Sequence, residues 1–94
     1  MILSSKKILS INLKYYRQCF NLSQEKFAEK IGSNLVYINQ LENCKRKPTI
    51  EMLDKIAEGM NKNIDRKLKM TASDLIKYDK THRTTFNRID EKKK

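Results

Sequence analysis

The chain has no tryptophan, one histidine, one proline, two glycines and two cysteines in 94 residues. A single histidine leaves no histidine-based triad to build, and two isolated glycines leave no glycine-rich phosphate loop or nucleophile elbow. That histidine, His82, has no cysteine or carboxylate cluster at ligand spacing, so no zinc site is expected and His82 reads as a solvated side chain of a polar C-terminal tail. Cys19 and Cys44 are far apart and read as two reduced thiols, making neither a disulfide framework nor a metal cluster. No apolar run is long enough for a signal peptide or a bilayer span. These absences point to a cytoplasmic protein with no catalysis, no metal, no cofactor and no membrane span.

Positive charge is abundant. Lysine and arginine number 21 against 11 acidic residues, a formal net charge of +10. That excess favours a polyanionic partner, nucleic acid or an acidic membrane surface, and charge alone does not choose between them. With 38% hydrophobic residues, the chain supports one small core and not two.

Hydrophobic spacing supplies the elements. Leu9, Leu13, Tyr16 and Phe20 share one face of a helix from about Ser5 or Lys6 to Cys19. Ser23 caps a second helix, Gln24 to Ile31, which buries Phe27, Ala28 and Ile31. Gly32 can take the left-handed conformation that closes it, and Asn34 caps a third helix, Leu35 to Glu42, with Ile38 and Leu41 inward. A basic loop, Asn43 to Lys47, ends at Pro48. Thr49 then caps a fourth helix whose core face reads Ile50, Leu53, Ile56, Ala57 and Met60, with a break near 61 to 63 suggested by Gly59 and the Asn61-Lys62-Asn63 cluster. A short fifth helix is expected over roughly 72 to 78. Beyond it, residues 79–94 form a basic tail that by default is frayed, leaving residues 1–78 as the folded domain. The alternation through Thr84, Phe86 and Arg88 offers a short strand pairing across a dimer as an alternative.

Two short helices joined by a tight glycine turn can pack at a steep angle and leave the second projecting from the body. At about 1.5 Å per residue the third helix is about 12 Å long, a match to a B-DNA major groove about 12 Å wide. Gln24, Ala28, Gly32, Ile38 and Leu41 are spaced as in the Cro and phage-repressor-like regulators, the XRE family, which this stretch resembles. The resemblance covers Leu9 to Met60 and implies an all-α, compact five-helix, repressor-like DNA-binding domain whose helices two and three form the helix-turn-helix. It also implies a sequence-specific regulator of double-stranded DNA, a repressor acting as a homodimer on a palindromic operator. Leu35, Val36, Tyr37, Asn39 and Gln40 would then face base edges or the groove wall, while Gln24, Asn43, Lys45, Arg46 and Lys47 bind phosphates. The Gln40 amide suits an adenine edge, with a phosphate or Gln24 as its alternative partner. Arg17 and Glu42 match an arginine and a glutamate that pair in related repressors.

Cys44 stands where the family usually has glycine, which makes Asn43 the alternative residue for the left-handed cap. Leu35, Val36 and Tyr37 make an apolar start to the third helix, open to internal packing or to contact with thymine methyls, contact being favoured for Val36. Helix five and the tail, through Leu75, Ile76 and Phe86, are the candidate dimer interface, although packing within the monomer explains Leu75 and Ile76 nearly as well. Two further readings stay open. One is an antitoxin whose tail binds a partner protein, and the other is a helical adaptor that has kept the fold without binding DNA.

Overall fold

The computed structural model describes residues 4–82, which form α1 (Ser5–Cys19), α2 (Gln24–Lys30), α3 (Leu35–Glu42), α4 (Ile50–Asn63) and α5 (Ala72–Leu75), with no strand among them. Each helix begins at a hydroxyl or amide side chain in extended backbone. Ser4, Ser23, Asn34, Thr49 and Thr71 accept hydrogen bonds from the backbone N–H groups of Lys7, Lys26, Tyr37, Met52 and Asp74. Each cap satisfies a donor that has no partner within the helix, worth about 1 kcal/mol.

The first three helices end alike, by one residue at positive φ followed by a paired return of N–H groups to the last turn. Asn21, Gly32 and Cys44 take that conformation, at φ 55°, 73° and 59°. After α2, the Ser33 N–H reaches the Ala28 carbonyl at 2.8 Å and the Gly32 N–H reaches Glu29 at 3.2 Å. After α3, Lys45 returns to Gln40 at 2.8 Å and Cys44 to Leu41 at 3.3 Å. The alternative of Asn43 in this role is therefore corrected: Asn43, at φ −102°, is the preceding cap residue, and Cys44 itself adopts the left-handed turn. The two return hydrogen bonds offset its Cβ strain of about 1 kcal/mol.

One core joins all five helices: Leu9 and Leu13 from α1, Phe27 and Ala28 from α2, Ile38 and Leu41 from α3, four residues of α4, and Leu75. Ile31 and Met70 complete it from the connecting segments. Burying each large member fully is worth about 1.5–3 kcal/mol. Ile50, expected on the core face of α4, is instead 75% exposed. It occupies the first helical position, before the apolar stripe meets the body. α4 ends at Asn63, within the expected break, with Gly59 inside its last turns. A Cβ at Gly59 would sit 2.7 Å from Ile31 Cα, so this glycine lets the α4 backbone lie against the end of α2.

The fifth helix is shorter than expected because Asn12, buried in α1, takes over its C-terminal carbonyls. Asn12 Nδ2 donates to the Leu75 carbonyl at 2.7 Å and to Lys77 at 3.0 Å. Its Oδ1 lies 2.9 Å from His82 Nδ1. The expectation of a solvated His82 is thus corrected: the residue is 9% exposed, and its ring stacks on Tyr15 with centroids 3.9 Å apart and meets the edge of Tyr16. The backbone turns helical again at residues 80–82, so the folded body extends past 78. Phe86, the alternating 84–89 run and the rest of the tail lie outside the described residues. Among those described, no helix is long and apolar enough to cross a membrane.

Candidate nucleic-acid interface

The third helix is too short to hold itself in place, and its C-terminal residue anchors it. Glu42 is 1% exposed and its carboxylate accepts from Arg17 Nε at 2.8 Å and Nη2 at 3.0 Å, a two-pronged contact from α1. Arg17 Nη1 also donates to the Leu22 carbonyl at 3.0 Å. Ser10 Oγ, from earlier in α1, donates to the backbone carbonyl of Glu42. A third side chain reaches the same carboxylate: Gln24 Nε2, at 3.1 Å.

That last contact carries polarity outward to the helix surface. With its Nε2 on Glu42, Gln24 turns Oε1 to Asn39, whose Nδ2 donates to it at 3.2 Å. A carboxylate accepts only, so each amide in the row has one permitted orientation. Asn39 is left presenting its Oδ1 and one N–H.

On the outer face, Val36 is 66% and Leu35 45% exposed, and Asn39 is exposed beside them. Tyr37 departs from this group. Its ring packs against the core, half-buried, and its hydroxyl oxygen is buried. Burial pushes the Tyr37 phenol up, and the charge of Arg46 acts in the opposite sense. The Arg46 guanidinium lies 5.0 Å from the Tyr37 ring centre, in cation–π range, and its Nε donates to Gln40 Oε1 at 2.9 Å. Gln40 therefore partners Arg46, whereas Gln24, its expected alternative partner, bonds Asn39.

Asn43, Lys45, Arg46 and Lys47 are exposed in the loop after α3. Asn43 Nδ2 also donates to the Asn39 carbonyl at 2.8 Å, extending the last turn. The structure thus brings Arg17, Gln24, Asn39 and Glu42 into one network and Tyr37, Gln40 and Arg46 into a second. The apolar spacing of α1 did not single out Ser10 or Asn12. The one available signal was a polar residue beside each of Leu9 and Leu13, close to the buried stripe.

A short helix held outward by a buried charge pair, bordered by a cationic loop and preceded by a glycine-turned helix, is a DNA-binding unit of the helix-turn-helix class. Comparison with known proteins agrees: a family model described as helix-turn-helix matches residues 13–67. The chain belongs to this family of XRE-type, Cro-like helix-turn-helix regulators. It is also 36% identical over 63 residues to the control protein C.SmaI of Serratia marcescens, a match covering 67% of this chain and 75% of that protein. No solved structure matches the chain. The protein is accordingly a DNA-binding transcriptional regulator and not an enzyme.

Proposed function

We propose that the protein is a sequence-specific regulator of double-stranded DNA that acts as a homodimer in the cytoplasm and represses by occupying its operator. The observation that carries this reading is the pairing of an exposed, preorganised α3 surface with a lysine- and arginine-rich loop at its C-terminal end. Val36 and Leu35 offer apolar contacts for thymine methyls, and Asn39 and Gln40 offer polar ones for base edges. Lys45 and Lys47 attract phosphates, with Asn43 and the remaining N–H of Gln24 supplying oriented donors. Repression is the mode that occupancy alone achieves. The control-protein relative supports a role in regulating gene expression.

One α3 is a small reading surface, and two are needed for tight specificity on half-sites about 34 Å apart. Of the residues expected at a dimer interface, Leu75 is fully buried within the monomer and is withdrawn. Ile76 and Tyr78, 38% and 47% exposed, are the apolar surface that remains near α5. Selection from random duplexes at defined salt should return a palindrome, and sedimentation of the protein on that duplex should give two chains per site. A monomer both free and on its best duplex would refute the dimer, and no enriched sequence would refute specific recognition.

A further inference from the structure

Arg46 sits in the loop among lysines, and its sequence position suggests only a phosphate contact. Its side chain is folded back onto the recognition helix instead, held at both ends by α3 residues: Nε on Gln40 Oε1 at 2.9 Å, and the guanidinium over the Tyr37 ring at 5.0 Å. The polarity of this contact is fixed by chemistry. A guanidinium N–H can only donate, so the Gln40 atom facing it is the carbonyl oxygen, and the contact takes one of that oxygen's two lone pairs. Gln40 is then left with two N–H groups on Nε2 and one lone pair on Oε1, and Arg46 with the N–H groups of its two Nη atoms. Donors dominate what the pair presents.

A free glutamine amide is suited to adenine, which offers a donor at N6 beside an acceptor at N7. A surface dominated by donors is disfavoured opposite the N6 amino group and matched by guanine, whose N7 and O6 both accept. We infer that Arg46 is a specificity-determining residue: by holding Gln40 Oε1 it turns Gln40 from an adenine reader into half of a donor-rich pair that selects guanine. Tyr37 contributes as the platform under Arg46, its ring centre 5.0 Å from the guanidinium. This inference rests on the reading of α3 as the base-contacting helix.

The test is binding-site selection and competition binding on matched duplexes for the full chain, its Gln40→Ala variant and its Arg46→Met variant. Gln40→Ala locates the base pair concerned, as the position where preference relaxes. At that position the unaltered protein should favour guanine over adenine by about tenfold. Arg46→Met, a substitution at an exposed side chain whose folding is checked by its thermal melt, should free Oε1 and shift the preference toward adenine. A purely phosphate-holding Arg46 predicts a different result: weaker binding to all duplexes alike, a salt slope smaller by about one unit, and guanine still preferred. Retention of guanine by Arg46→Met overturns the inference and leaves the proposed function standing, as does an initial preference for adenine. Absence of any duplex preference in the unaltered protein overturns both.

Discussion

Replacing Arg17 by alanine removes the cation from a carboxylate that has no route to water. Glu42 is 1% exposed at the side chain and Arg17 16%, and the guanidinium supplies two of the three N–H groups that reach the carboxylate. Breaking a buried pair from one side costs about 3–5 kcal/mol, because the remaining charge stays buried and uncompensated. Gln24 Nε2 still donates to Glu42 in the variant, and Arg17 is not fully enclosed, so the lower end, about 3 kcal/mol, applies. The Leu22 carbonyl loses its Arg17 donor as well. In urea, with a slope of roughly 1 kcal/mol per molar for a domain of this size, the unfolding midpoint should fall by about 3 M with the slope unchanged. Helical circular dichroism reads this directly. The double variant Arg17→Met/Glu42→Leu should recover most of the stability, since a well-packed apolar pair avoids the desolvation of two charges. It should not recover sequence preference, because Gln24 would then lack the carboxylate that orients it toward Asn39. A loss below about 1 kcal/mol for Arg17→Ala would place the pair in the class of exposed ion pairs and refute the argument.

Three further outcomes are expected. Lys47→Ala should weaken binding to preferred and scrambled duplexes equally and lower the salt slope by about one unit, whereas Gln40→Ala should lose about 1–3 kcal/mol on the preferred duplex alone; filter binding across a salt series separates them. Gly59→Ala should destabilise by about 1–3 kcal/mol despite alanine's better helix propensity, because its Cβ would meet Ile31 Cα at 2.7 Å; a variant as stable as the original in denaturant would show that α2 yields easily. Burial holds the His82 imidazole below its ordinary value of 6.5, the opposing pull of Asp79 being smaller. The unfolded chain therefore takes up the proton first, so stability should decline as pH falls from about 6.5 toward the lower folded value, a slope that His82→Gln should flatten in melts across that range.

Much of this molecule is written locally. Ser23, Asn34 and Thr49 cap helices because a side-chain oxygen reaches an N–H group three residues ahead, and that geometry needs nothing from the rest of the chain. The period of Leu9 and Leu13, and of Leu53, Ile56 and Ala57, likewise identifies buried faces because side chains three and four apart share one side of a helix. The spacing from Gln24 through Gly32 to Leu41 was enough to recognise the family. What periodicity cannot convey is which polar residues face one another across separate helices. Asn12 and His82 are 70 positions apart and Ser10 and Glu42 are 32 apart, and each pair meets only when α1 packs against the rest of the body. For the same reason His82 read as solvated and Ile50 as buried. Helical spacing assigns a residue to a face, but only the packed neighbours decide what that face meets. The orientation of the Asn39 and Gln40 amides depends on Glu42 and Arg46, groups brought to them by tertiary contact, so the sequence proposes the residue types of a candidate interface while the fold decides the hydrogen-bonding pattern they present.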